Sequence, residues 1–75
     1  MVAIIKIDYS TINNEASYVD QPVETFEQAA NKVYGRRHYG CDFTTSFYEN
    51  RTVYHEIDRE TGELVSKWIV QGIRE

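Results

Sequence analysis

Seventy-five residues are enough for one small domain, residues 1–75, with one core. With 41% hydrophobic and 13% aromatic residues, one proline and four glycines, the composition excludes a disordered tail, a repeat and a low-complexity linker. A formal charge of -4 and a pI near 5.1 argue against a dedicated nucleic-acid domain, which is usually basic overall, and a lone cysteine excludes an internal disulfide.

The opening MVAIIKIDY is too short an apolar run for a signal peptide or a membrane span, and Asp8 interrupts it. No membrane association is expected, and Cys41 suits a reducing, cytoplasmic compartment. VAIIKIDY alternates Ala3, Ile5, Ile7 and Tyr9 against Val2, Ile4, Lys6 and Asp8, which suits a strand well inside a sheet. STINNEASYVDQP is polar and ends in the single proline; it is a loop, with room for a short edge strand at Ser17 to Val19.

TFEQAANKVYG is the one helix. Thr25 caps it, with Gln28 at capping-box spacing. Phe26, Ala29, Ala30 and Val33 form one buried stripe, and Gly35 is placed for a left-handed stop. Glu24 and Glu27 flank the positive end of the helix, and Lys32, Arg36 and Arg37 the negative end.

Three strands follow. CDFTTSFYE sets Cys41, Phe43, Thr45 and Phe47 against Asp42, Thr44, Ser46 and Tyr48. NRTVYHEID sets Val53, His55 and Ile57 against Thr52, Tyr54, Glu56 and Asp58, and LVSKWIVQG puts Leu64, Ser66, Trp68 and Val70 on one face. Gly62 serves the DRETGE hairpin loop between the last two strands. Matching apolar faces pairs Ile57 with Leu64, His55 with Ser66 and Val53 with Trp68, and then Phe47 with Val53 and Phe43 with Ile57. The expected fold is α+β: a single helix on a four-stranded antiparallel sheet in the order β-α-β-β-β.

This register puts Tyr48, Tyr54, Glu56 and Asp58 on the face away from the helix, with Asp42 opposite Asp58. Such a face is either a solvated polar surface or an acidic, tyrosine-edged surface for a basic protein partner.

YGRRHYGCDF, residues 34–43, gathers Arg36, Arg37, His38, Tyr39 and Cys41, close after Lys32. Lys32, Arg36 and Arg37 could pair phosphates while Tyr39 stacks on bases, or they simply answer the helix dipole. The glycines follow a helix rather than precede one, which excludes a phosphate loop. His38 and Cys41 have spacing that zinc accepts, but the second ligand pair is missing, and His55 is expected inside beside Ser66. Cys41 fits the apolar alternation better than a nucleophile's setting. No catalytic residue, metal ligand or cofactor is expected.

The order of strand AIIKI, loop INNEA, helix FEQAANKVYG and Tyr/Phe-rich hairpins ending near KWIV resembles small phage-encoded anti-CRISPR proteins, particularly inhibitors of type I CRISPR surveillance complexes. The resemblance lies in architecture and size over most of the chain. It implies a non-enzymatic protein in the host cytoplasm that docks on a host protein or nucleoprotein complex and blocks its nucleic-acid path. Members of that group often use basic residues for the contact, whereas this chain is acidic. Two other expectations stand beside it. One is a nucleic-acid-binding module using Lys32, Arg36, Arg37 and Tyr39. The other is a structural subunit that dimerises through an open sheet edge or the Val65/Ile69 patch.

Overall fold

A computed structural model describes residues 1–9, 14 and 16–73. The elements run β1 (Val2–Asp8), β2 (Ala16–Tyr18), α1 (Phe26–Gly35), β3 (Cys41–Tyr48), β4 (Arg51–Asp58) and β5 (Leu64–Gly72). They form one five-stranded antiparallel sheet in the order β2-β1-β5-β4-β3, with α1 packed on one face. The α+β class is as expected, but there are five strands rather than four, because 16–18 pairs with β1 as an edge strand and makes the order ββαβββ. Most of the loop before β2, residues 10–13 and 15, lies outside the described residues.

The helix forms where its local signals require. Thr25 Oγ1 accepts the Gln28 backbone N–H at 3.1 Å, and Gln28 Oε1 accepts the Thr25 N–H at 3.2 Å, closing the capping box. Ala29 and Val33 are fully buried against the sheet, whereas Phe26 at the start of the stripe stays largely exposed. Gly35 is not the left-handed stop: Arg36 caps the helix with φ -108, and the positive φ falls on Gly40, at +84, in the turn into β3. Gly62 does take positive φ in the β4–β5 loop, as expected.

The core lies between the helix and one sheet face: Val2, Ile4, Ala29, Val33, Tyr54, Trp68 and Val70. Two one-residue slips decide which β4 residues join it. The β3–β4 turn is the two residues Glu49 and Asn50, so Phe47 faces Thr52 and Phe43 faces Glu56, rather than Val53 and Ile57. Between β4 and β5, Ile57 does face Leu64, but Val65 is an extra, bulged residue, after which Glu56 faces Ser66 and Tyr54 faces Trp68. Since side chains alternate with period two, each slip turns β4 over relative to a neighbour. Both act in the same sense, so β3, and β5 from Ser66 onward, keep the expected faces and β4 is reversed, while Leu64, before the bulge, falls opposite Ile57 on the outer face.

Tyr54 and Glu56 are therefore buried under the helix layer, not displayed on the outer face, and His55 lies on the outer face between Thr44 and Lys67. Asp42 faces Ile57 rather than Asp58, so the like-charge pairing does not arise.

Candidate functional site

The buried carboxylate of Glu56 organises one end of the molecule. Its side chain is 0% exposed. Oε2 accepts the His38 backbone N–H at 2.6 Å and lies 3.1 Å from His38 Nδ1, while Oε1 accepts the Trp68 Nε1–H at 3.3 Å. A charged acceptor in the core is costly unless its lone pairs are filled. Here they are filled from two sides, by a core indole and by the backbone of the segment between α1 and β3. Ser66, directly across the ladder from Glu56, has a buried hydroxyl with no partner in the structure.

The consequence for the segment 36–40 is a fixed path. Arg36 and Arg37 N–H groups bond the Val33 and Tyr34 carbonyls, His38 N is held by Glu56, Cys41 N bonds the His38 carbonyl, and Arg59 N bonds the Gly40 carbonyl at 2.9 Å. At the apex of this turn Tyr39 is fully exposed (105%). A hollow of about 460 Å³ opens beside it, lined by Arg37, Tyr39, Gly40, Asp58, Arg59 and Glu60. A wider one of about 600 Å³, at the other end of the sheet between Met1, Glu24, Phe26 and Glu49, is lined by none of the candidate binding residues.

The basic residues are brought to this end but are divided between two carboxylates. Asp20 Oδ2 accepts from Lys32 Nζ at 3.3 Å and from Arg36 Nη2 at 2.6 Å. The Lys32 hydrogen bond first, with the charge of Arg36, holds the Asp20 carboxyl below its ordinary value. Asp20 has a left-handed backbone, φ +59, which aspartate tolerates better than most residues. Asp42 takes a two-pronged grip from Arg59 at 2.9 Å to each oxygen, with Arg37 at 3.8 Å. The Asp42 hydrogen bond raises the Arg59 pKa above that of an ordinary guanidinium. Lys32, Arg36 and Arg37 are thus each met by an acidic group within the chain, unlike a phosphate-gripping patch.

The remaining candidates separate. Tyr48 is exposed at the far end of β3, with the Arg51 guanidinium 4.8 Å from its ring centre. Asp58 is half-buried and shapes the β4–β5 loop: its Oδ1 accepts from Glu60 and Thr61 N–H groups. Cys41 is buried, and that burial, with the charges of Glu56 and Asp58, raises its thiol pKa. Among the described residues, no three His, Cys, Asp or Glu side chains come together in a way that would hold a metal ion. No helix there is long and apolar enough to cross a membrane.

Sequence patterning missed Asp20 and the Arg59–Asp42 clasp, because each partner is brought by a different element. It also missed Phe47, which alternates like a core residue but is 80% exposed at the sheet edge. Scans against family models, curated proteins and solved structures found no match.

Proposed function

We propose that this chain is a binding domain that docks on a protein surface and occludes a site there, as an inhibitor of a larger host complex does. The observation that carries this reading is Tyr39: a wholly exposed aromatic side chain at the apex of a turn anchored by a buried carboxylate. An exposed tyrosine on a loose loop would lose conformational freedom on binding. On a turn already fixed, little backbone freedom remains to be lost, and the ring itself has only two rotatable bonds to order. Placing a charge in a small core is costly, and here that charge holds the backbone that presents the ring.

The surroundings suit a protein partner. Arg37 and Arg59 lie beside Asp42, Asp58 and Glu60, so the rim offers both donors and acceptors around a central ring. The partner surface that complements it has a slot for a phenol and mixed charge around it. A nucleic-acid strand fits less well, since Lys32 and Arg36 are already engaged by Asp20.

The test captures partners of the tagged chain from host lysate, with and without nuclease, using the parent, Tyr39→Ala and Arg36→Ala/Arg37→Ala. The expected result is a nuclease-resistant partner whose affinity for the Tyr39→Ala chain falls at least about thirtyfold, as for a hot-spot aromatic. The circular dichroism of the variant should be unchanged. A partner lost on nuclease treatment, with salt-steep binding abolished by the double arginine change, would overturn the reading in favour of nucleic acid.

A further inference from the structure

The outer edge of β3 carries a second, independent message. β3 is eight residues long and pairs only with β4; among the described residues no strand lies on its other side. The opposite edge of the sheet is β2, only three residues long. Exposed edges are normally blunted by charge, proline or a bulge. On β3 the one charged residue is Asp42, near its start, and 43–48 reads Phe-Thr-Thr-Ser-Phe-Tyr, rich in strand formers.

Which backbone groups are unpaired follows from the ladder. Arg59 N bonds the Gly40 carbonyl, so Gly40 and Arg59 form a hydrogen-bonded pair. Alternation along an antiparallel ladder then directs Asp42, Thr44, Ser46 and Tyr48 at β4, and the N–H and C=O groups of Phe43, Thr45 and Phe47 outward. These three are also the residues whose side chains lie on the helix-bearing face. Phe43 already belongs to an edge-to-face aromatic cluster, 5.4 Å from Tyr34 and 5.9 Å from Tyr54 between ring centres. Phe47, 80% exposed, has no ring beside it in that cluster.

We propose that β3 pairs antiparallel with β3 of a second copy of this chain, about a twofold axis at Thr45, joining two sheets into one. A second copy is the occupant this edge specifies, because one register satisfies every requirement at once. Thr45 faces its own counterpart, Phe43 faces the partner's Phe47, and Phe47 faces the partner's Phe43. All three outward-facing residues of each strand then find partners, giving about six hydrogen bonds. Shifting the axis to Thr44 or Ser46 leaves a phenylalanine opposite a threonine or beyond the strand.

Charge agrees with this register. Asp42 of one copy falls opposite Tyr48 of the other, whose ring carries Arg51, and the Glu49 turn comes to the end that holds Arg37 and Arg59. The pairing of Phe43 with Phe47 extends the aromatic cluster across the axis, and such cross-strand aromatic pairs are among the stabilising ones.

The test is sedimentation velocity over a wide concentration range on the parent, Phe47→Lys and Thr45→Lys, with folding checked by circular dichroism. Phe47 is so exposed that its change leaves the monomer fold intact, and twofold symmetry removes both aromatic pairs at once. The dimer should weaken by about tenfold or more. A register check adds one cysteine at a time to a Cys41→Ser background: Thr45→Cys should form a disulfide-linked dimer under mild oxidation, because its Cα atoms meet across the axis, while Thr44→Cys should not. A parent chain that stays monomeric at millimolar concentration overturns the proposal. So does a dimer indifferent to both lysines. Capture of the Tyr39 partner is read on Phe47→Lys separately, so failure of either proposal leaves the other standing.

Discussion

The two faces of the sheet are built on opposite logic. The face under the helix encloses Trp68, Ile4, Val70 and Val33, yet admits a carboxylate, Glu56, and the hydroxyls of Thr52 and Ser66. The other face has no layer over it among the described residues, yet it carries Ile5, Ile7, Val53, Ile57 and Ile69. Along one of its cross-strand rows Tyr18, Ile5, Ile69, Val53 and Ser46 stand side by side. Val53 there is 5% exposed, shielded by its neighbours in the sheet rather than by a second layer. The covered face can hold the Glu56 carboxylate because the His38 backbone and the Trp68 indole donate to it, although the Ser66 hydroxyl across the ladder has no partner. On the open face polar side chains such as Thr44, His55 and Lys67 have water within reach, and the aliphatic side chains between them shield one another within the sheet.

The largest effect that would test this contrast is Trp68→Ala. It removes the largest fully buried side chain and the indole donor to Glu56, and should cost about 3–5 kcal/mol, enough to unfold most of a domain this size. Denaturant unfolding measures it. Glu56→Ala comes next, at about 3 kcal/mol or more, because it strands the His38 and Trp68 N–H groups in the interior. Glu56→Gln keeps one carbonyl acceptor and should cost clearly less. Equal losses for the two would mean that the carboxylate's hydrogen bonds are not what matters. In folded Glu56→Gln chains, hydrogen exchange at His38 should quicken, the sign that the Tyr39 turn has loosened.

On the open face, Ile69→Ala should cost only about 1–2 kcal/mol, since part of the side chain is already in water. A cost matching that of Trp68→Ala would show that something covers this face in solution. The smallest effect concerns the tether of the covering layer. Asp20, held to Lys32 and Arg36 on the helix, has a depressed folded pKa. Its contribution is present above the unfolded carboxylate value and is lost as pH falls through and below the folded one, under pH 3.8. Asp20→Asn should therefore lower stability slightly at neutral pH, leave it unchanged below the folded pKa, and so flatten the acid end of the stability profile.

Most local signals in the sequence read correctly, although Gly35 is not the left-handed stop and Phe26 is not buried. Thr25 and Gln28 mark the start of the helix, Ala29 and Val33 its buried stripe, Gly62 its loop, and the four long strands appear by alternation. The reversal of β4 was not legible. Val53, His55 and Ile57 look more apolar than Thr52, Tyr54 and Glu56, and apolar matching favours them for the core. A bulge at Val65 and a two-residue turn at Glu49 and Asn50 outweigh that preference, and neither has a strong local signature. Gly72 leaves room for the Asn50 side chain at this turn: a Cβ there would displace it, and Asn50 Nδ2 donates to the Gly72 carbonyl. The candidate site was half legible. Tyr39 and Arg37 were found from the cluster itself, but its anchor, Glu56, was assigned to the wrong face, and Asp20 and Arg59 come from segments far along the chain.

The pairing of β1 with β5 at the centre of the sheet has a consequence for synthesis. The first strand and the last are neighbours over seven residues, from Val2 opposite Gly72 to Asp8 opposite Ser66. A chain emerging from the ribosome presents β1 long before its partner exists, and the core cannot close around Trp68 until the final strand is out. Until then the apolar edge of β1 and the helix stripe stay open to chaperones or to other nascent chains. Translation that stalls before Leu64 should yield no partly folded domain, only a sticky fragment for the cell's proteases to clear.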